Sequence, residues 1–396
     1  MPKVEHEVYL VAAVRTPIGR FGGGLASLTA PQLGTASAKA TIERSAIDPG
    51  AIDEVIFGNA RQAGVGPNAA RQIAIRSGLR HEVPAYTVNQ ACGSGLRAIM
   101  NAADQIRLGH ADVILAGGTE SMSNTPYLLT HARWGLRMGD GEVIDGMIRD
   151  GFLCPLADEM MGATAETLAD QYEITREEQD RFAVQSQVKA SRAYEEERFA
   201  NEIVPVTVAG KKGQTVIDRD EHPRFDASLD SLARLPAVFR KGGTVHAGNS
   251  SGVTDGAASM LVAGASAVRR HALQPMARII GYAQAGVDPK VMGIGPVPAT
   301  RRLLDETGLA LEAIDLIELN EAFAAQVIAC DRELHFDHAK LNVHGGAISL
   351  GHPIGATGAR ITTTLLHALQ SRKGKLGLAT LCISGGMGLS MIVETC

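Results

Sequence analysis

The sequence predicts an α/β protein built from a duplicated unit, and three observations carry that prediction. Ala51-Ile52-Asp53-Glu54-Val55-Ile56-Phe57 is similar to Ala313-Ile314-Asp315-Leu316-Ile317-Glu318-Leu319. Some way after each of these, a polar turn with glycines opens a helical stretch, at Cys92 in one copy and around His352 in the other. Each copy then enters a short apolar strand that ends in glycines, Asp112-Val113-Ile114-Leu115-Ala116-Gly117-Gly118 and Leu378-Ala379-Thr380-Leu381-Cys382-Ile383-Ser384-Gly385-Gly386. Three matches in the same order make an internal repeat the better reading than chance.

The elements follow along the chain. Tyr86-Thr87-Val88-Asn89-Gln90 reads as a strand. From Gly95 to Leu108, Leu96, Ile99, Met100, Ala103 and Ile106 fall at helical spacing. From about Ser121 to Gly248 the character changes. Arg133 to Gly141 is loop-like, and Arg176 to Arg198 is a charged helical stretch with Phe182, Val184, Val188 and Tyr194 as apolar anchors. This reads as an insertion lying over the sheets, where substrate-binding surfaces often sit. Ala359 to Leu369 is helical again, with Ile361, Leu365 and Leu366 apolar. Short strands alternating with helices predict a mostly parallel, buried sheet. The expected division is residues 1–120 plus 249–272 as the first half, 121–248 as the insert and 273–396 as the second half.

The formal net charge of −5 and the lack of a long basic run argue against nucleic acid as a partner. They leave room for a phosphate-bearing small molecule, which needs only a local patch. Five widely spaced cysteines, Cys92, Cys154, Cys330, Cys382 and Cys396, include no CxxC pair. That argues against a disulfide framework or a metal site and points to a reducing, cytoplasmic setting. Met1 to Glu7 has no leader character, the C-terminus is not a peroxisomal ending, and no apolar run is long enough for a membrane span.

Three segments carry chemistry. Cys92 lies between a strand and a helix start, where free N–H groups and the helix dipole favour a thiolate. His352 sits among glycines, followed by Pro353. Cys382 ends an apolar strand before Ser384-Gly385-Gly386, and strand ends of open α/β sheets face the ligand crevice. Backbone N–H groups of such a glycine run can hold an oxyanion. A nucleophilic cysteine, a second cysteine to move a proton and an activating histidine together indicate acyl transfer. Asn320-Glu321-Ala322-Phe323 occupies a strand end in the second copy, where an Asn-Glu pair is usually a helix cap.

Taken together these segments resemble the thiolase family. Asn89-Gln90-Ala91-Cys92-Gly93-Ser94-Gly95 looks like its acyl-accepting cysteine motif, and Asn320-Glu321-Ala322-Phe323 like its Asn-Glu-Ala-Phe motif. Asn342 to Ala356 looks like its Gly-His-Pro signature, and Cys382-Ile383-Ser384-Gly385-Gly386 like its second cysteine motif. The resemblance runs from Arg15-Thr16-Pro17 to the last strand. It implies a duplicated five-layered αβαβα core with an inserted loop domain. It implies that Cys92 carries the acyl group, that His352 activates Cys92, and that Asn320 holds a water completing an oxyanion hole. Cys382 would exchange a proton with the α-carbon, and backbone N–H groups of Cys92 and Ser384 would form a second hole. Coenzyme A, as substrate rather than tightly bound cofactor, would contact Arg224, Ser231, Leu235, Phe239, Ala247, Gly248, Ser251, Ala322, Phe323 and Met160. The family's assembly implies a homotetramer joined through Thr130 to Gly151.

The resemblance implies thiolysis of 3-ketoacyl-CoA and condensation of acetyl-CoA, with fatty acid metabolism as the setting. Three departures bear on this. Ser384 stands where the family usually has glycine, His344 where it often has asparagine, and Met160 where short-chain members have histidine. The last leaves longer acyl chains open. A ketoacyl synthase shares the doubled fold but pairs its cysteine with two histidines and needs no second active cysteine. A non-catalytic binding protein is the other rival, and intact Cys92, His352 and Cys382 speak against it.

Overall fold

A computed structural model gives the fold and describes residues 7–210 and 213–396. The N-terminal stretch read above for leader character lies, as far as His6, outside the described residues. The first half contributes strands β1 (Val8–Arg15), β2 (Glu54–Gly58), β3 (Ala85–Val88), β4 (Val113–Ser121) and β5 (Thr254–Gly264). The second contributes β6 (Pro275–Gly286), β7 (Leu316–Leu319), β8 (Leu376–Ile383) and β9 (Met387–Thr395). They form one sheet in the order β7-β8-β9-β6-β1-β5-β4-β2-β3, with the short strand Gly19–Arg20 added beside β5.

The repeat is visible in the topology. The first half reads β1-β5-β4-β2-β3 and the second β6-β9-β8-β7, beyond which Ile317 makes a lone parallel bridge to Leu341. The halves join where Tyr9 and Leu10 of β1 pair antiparallel with Arg278 and Ala277 of β6. The repeated Asp has the same task in both copies. Asp53 Oδ2 accepts the N–H groups of Asp112 and Val113 at 2.7 and 2.9 Å, and Asp315 Oδ2 those of Lys375 and Leu376 at 2.7 and 2.9 Å.

The sheet is mixed, which corrects the expectation of a mostly parallel one. Only β2 with β3, β2 with β4, and β7 with β8 are parallel. The outer members of each half are joined by crossovers, but β1, β5, β6 and β9 pair antiparallel, and β8 turns directly into β9. The sequence pattern is nearly the same for both arrangements because every strand here is covered on both faces.

Alternation along the strands sorts side chains into layers. Val55, Phe57, Val113, Leu115, Leu261 and Ala263 pack outward on α1 (Ala30–Ser45) and α2 (Ala69–Arg76). Ile56, Ile114, Met260 and Val262 face inward, onto α3 (Ser94–Arg107), in the same cluster as Ala379, Leu381, Ile383, Met391 and Val393 of the second half. Between them also lie Ile361, Leu365 and Leu369 of a long helix (Thr357–Arg372) that matches α3. The insert carries α4 (Met161–Gln171), α5 (Arg176–Glu195) and α6 (Leu229–Ala233), with three two-stranded ribbons. Then α7 (Ala265–Arg270) links the halves, and α8 (Pro296–Thr307) and α9 (Ala324–Leu334) cover the far face of the second half. A single turn, α10 (Ala347–Leu350), precedes the long helix, which is α11. The two halves of this sheet enclose α3 and α11 and carry the other helices outside, which makes five layers in the order helix, sheet, helix, sheet, helix.

α5 departs from the pattern read in the sequence. Its buried face is Gln179, Asp180, Ala183, Ser186, Gln187, Ala190 and Ala193, while Val188 is exposed. The helix docks on a polar segment around Glu321 and Ser349, so small and hydrogen-bonding residues fill that face.

Candidate active site

Two helix N-termini meet backbone to backbone at the site. A β-carbon on Gly95 would stand 2.8 Å from the Ala359 N and 3.0 Å from the Gly355 O, and one on Gly358 would collide with the Leu96 backbone. Only glycine allows α3 and α11 this approach. It brings the turn before α3, which holds Cys92, against the turn before α11, which follows His352. Glu120 at the end of β4 ties the same region together, accepting from Asn59 Nδ2 at 2.7 Å and from the Gly355 N–H at 2.9 Å.

Cys92, His352, Cys382 and Ser384 line one cavity. Arg61, Ser251, Phe152, Met161, Met292, Ala322, Phe323 and Ile354 form much of the remaining wall. Ala91, just before the nucleophile, holds φ +46, a left-handed conformation uncommon for a residue with a side chain. The N–H groups of Ser384 and of Cys92 itself both point at the Cys92 sulfur. Ser384 is not among the residues with positive φ, whereas Gly385 and Gly386 are, at +86 and +85. The serine at this position is therefore accommodated without strain, and the glycines are placed where the turn needs them.

Burial raises the Cys92 thiol above its ordinary value, against the opposing pull of the Ser384 N–H, the Arg61 cation and its own N–H. The N–H groups at the helix start thus favour the thiolate as expected, but burial opposes them. Desolvation outweighs these N–H groups and the Arg61 charge. Cys382 is raised still further, by burial first and then by the neighbouring Cys92 and Cys330. His352 is pushed down to about 3 by burial and then by Arg360 and Arg61, so it is a neutral imidazole. Its Nδ1 lies 2.6 Å from Thr357 Oγ1, and that hydroxyl donates its hydrogen to the Pro353 carbonyl at 3.0 Å. Nδ1 therefore carries the proton, and Nε2 is left with its lone pair.

Asn320 is fully buried, and neither atom of its side-chain amide has a hydrogen-bond partner among the described residues. Its neighbour Glu321 is no helix cap. It accepts from Asn342 Nδ2 at 2.9 Å, Ser186 Oγ at 2.7 Å and the Ile348 N–H at 3.1 Å, and so binds the segment before His352 to α5. His344 lies outside the cavity, in a separate hollow with Lys189, Arg192 and Arg372. Its ring packs edge-on against Phe199, neither nitrogen has a hydrogen-bond partner among the described residues, and burial pushes it down to about 4.

The residues expected to meet a coenzyme divide between two places. Ser251, Ala322 and Phe323 are in the catalytic wall, and Phe239 stacks edge-on against Phe323 at 6.1 Å. Arg224, Ala247 and Gly248 line a neighbouring hollow with His222, and Leu235 packs against Gly248. Ser231 is exposed and serves in the capping box of α6. Asp180 braces this segment, holding His246 Nε2 at 2.7 Å and Asn249 Nδ2 at 3.0 Å. Met160 is half-buried opposite Leu153 in a short ribbon, and it is Met161 that stands in the catalytic wall. The chain turns into α4 here, which sends the two neighbouring side chains in different directions.

Sequence reasoning missed Arg61, Phe152, Met161 and Met292. Arg61 had a signal. It follows the end of β2 just as Phe323 follows the end of β7 in the repeat, and both strand ends open on the cavity.

The family description "Thiolase, N-terminal domain" matches residues 8–266 and "Thiolase, C-terminal domain" residues 273–395. The chain is 52% identical to the acetyl-CoA acetyltransferase of Pseudomonas aeruginosa over 386 residues, covering 97% of this chain and 98% of that protein. It is 53% identical to the Escherichia coli K12 acetyl-CoA acetyltransferase with the same coverage. The crystal structure of Bacillus anthracis acetyl-CoA acetyltransferase is similar at a TM-score of 0.97 and 45% identity, covering 99% of this chain and 100% of that one. The structure of human mitochondrial 3-ketoacyl-CoA thiolase in complex with CoA is similar at 0.96 and 42%, covering 99% of each chain.

Proposed function

This chain belongs to the thiolase family, and we propose that it works through an acyl thioester on Cys92. It is an acyltransferase that cleaves 3-ketoacyl-CoA with coenzyme A and, in reverse, condenses acetyl-CoA to acetoacetyl-CoA. The observation that carries the mechanism is the single cavity shared by Cys92, His352 and Cys382, with two backbone N–H groups aimed at the nucleophilic sulfur.

In cleavage, His352 Nε2 takes the Cys92 proton as the sulfur attacks the 3-keto carbon. The N–H groups of Cys92 and Ser384 hold the tetrahedral oxyanion. The bond between carbons 2 and 3 breaks, and its electron pair passes into the enolate of acetyl-CoA. The protonated Nε2 and a water on Asn320 hold the enolate oxygen, and Cys382 gives its proton to the enolate carbon. Coenzyme A then attacks the thioester. Its thiol proton returns to Cys382, and Cys92 recovers its own from His352.

The test is mass spectrometry during turnover. Wild type incubated with acetyl-CoA should gain one acetyl group on the peptide containing Cys92, and Cys92→Ser should lose nearly all thiolysis of acetoacetyl-CoA. Acetyl found elsewhere while Cys92 stays free would overturn the assignment.

The insert 121–248 is read as the coenzyme A-binding and assembly domain. The hollow lined by Arg224, Ala247 and Gly248, with Leu235 packed against Gly248, is read as the approach of coenzyme A, and Phe239 and Ser251 are read as meeting its sulfur end. Ser231 and Met160 are assigned to the same approach by family resemblance. A homotetramer is supported by the apolar surface of the segment around Thr130 to Gly151, where Trp134, Leu136, Val143 and Ile148 are exposed and Met138 is 99% exposed. The cytoplasm is the proposed location, since both working cysteines must stay reduced. Methionines at 161 and 292 give the acyl end an adaptable apolar wall, which supports acceptance of chains longer than acetoacetyl.

A further inference from the structure

Arg61 stands in the wall of the catalytic cavity and is only 5% exposed. Its Nη1 donates to the Asp150 carbonyl at 3.1 Å, while its Nε and Nη2 are buried with no hydrogen-bond partner among the described residues. Among the described residues it makes no ion pair. The buried carboxylate nearby, Glu120, is already occupied by Asn59 and by the N–H groups of Ala60, Arg61 and Gly355. A buried cation with two unmade hydrogen bonds is costly, and a ligand that completes them removes the cost.

The two unmade donors are adjacent. Nε and Nη2 form one edge of the guanidinium, the fork that matches the two oxygens of a carboxylate. The plane of that fork is fixed. The Gly151 backbone packs against it, and the Phe152 ring lies 5.6 Å from Cζ. Met161, Met292 and Ile354 elsewhere in the wall suit methylene groups and offer nothing to a charge.

We propose that Arg61 binds a carboxylate at the far end of the acyl chain, so that 3-ketoacyl-CoA substrates bearing a terminal carboxylate are preferred. This rests on the reading that the acyl group is carried on Cys92 within this cavity. Apolar residues hold the methylenes, and Arg61 takes the terminal charge.

The experiment is a paired substrate series on the wild type: acetoacetyl-CoA, then 3-ketohexanoyl-CoA against 3-ketoadipyl-CoA, and the next two homologous pairs. At one length or more, kcat/KM for the carboxylated member should exceed that of its neutral partner by about tenfold. Adipyl-CoA should likewise bind more tightly than hexanoyl-CoA by calorimetry. In Arg61→Leu the preference ratio should fall about 100-fold, and Arg61→Lys should restore only part of it. Turnover of acetoacetyl-CoA with neutral chains preferred at every length would overturn the proposal. So would an unchanged ratio in Arg61→Leu, or an equal loss on both series with a shifted pH profile, which would make Arg61 an electrostatic aid to Cys92 instead. Failure of the wild type on every substrate would instead sink the thiolase reading, and the calorimetric comparison would still decide the carboxylate preference.

Discussion

Cys92 and His352 meet as a neutral thiol and a neutral imidazole, so proton transfer has to accompany attack instead of preceding it. This makes the orientation of the ring decisive, and Thr357 sets it. Thr357→Val should lower kcat about tenfold with little change in KM, the loss of one hydrogen bond worth about 1–1.5 kcal/mol. Thr357→Ser should recover it, and a mutant with unaltered kcat would remove Thr357 from the mechanism. His344→Ala should do far less than His352→Ala, since His344 lies in another hollow. The thiols predict the pH dependence. His352, held near 3, stays neutral from pH 5 upward, so no step should follow an ordinary imidazole titration. Cys382 with its raised value is the acid at neutral pH, which suits cleavage. Condensation needs its thiolate and should accelerate as pH rises above neutrality. Proton exchange at the α-carbon of acetyl-CoA should share that rise and vanish in Cys382→Ala. A condensation rate that declines from pH 7 to 9 on a stable enzyme would contradict this assignment.

At the scale of elements, the contact between α3 and α11 is what puts cysteine and histidine in one cavity. Gly358→Ala would drive a methyl group into the Leu96 backbone, and overpacking of this kind costs about 1–3 kcal/mol. Thermal unfolding should shift down and kcat should fall with it. A variant of normal melting temperature and full activity would show that the helices can part without harm. Much of this level was legible beforehand. The duplicated strands, α3 and α11, and the glycine-rich turns around Cys92 and His352 all lie where periodicity and turn residues put them. What was not legible has a physical reason. The buried face of α5 is small and polar, because it answers Glu321 and Ser349 from a distant segment, and no local pattern of apolar residues marks it. The direction of strand pairing was misread because strands buried on both faces look alike in either sense. Arg61 is marked in the sequence only by its place in the repeat opposite Phe323, and Met161 by nothing until the fold surrounds it with a cavity.

Over the whole molecule, the insert is held to the first half by more than apolar contacts. Arg15, at the end of β1, pairs with Glu202 at 2.6 Å and Asp220 at 2.7 Å, all three of them buried. Burial alone would weaken its charge, but Asp220 and Glu202 more than offset that and raise it. Arg15→Met would leave two carboxylates buried without their cation, and should destabilise the fold by about 3–5 kcal/mol in denaturant melts. The assembly prediction also belongs here. Trp134→Ala with Met138→Glu should convert a tetramer to smaller species in sedimentation while thiolysis per chain persists, and a wild type that sediments as a single chain would rule the tetramer out. The position of β1 has a consequence for how the chain is made. It is an inner strand, with β5 on one side and β6 on the other, and Val8 pairs with Gly264 while Val14 pairs with Ser259. During synthesis β1 must therefore wait, unpaired, until the distant strands β5 and β6 have been made. Such distant pairing slows folding and prolongs exposure of sticky strands. Nascent chains halted before Thr254 should be protease-sensitive and prone to capture by chaperones, and protection should appear only once β5 and β6 have cleared the exit tunnel.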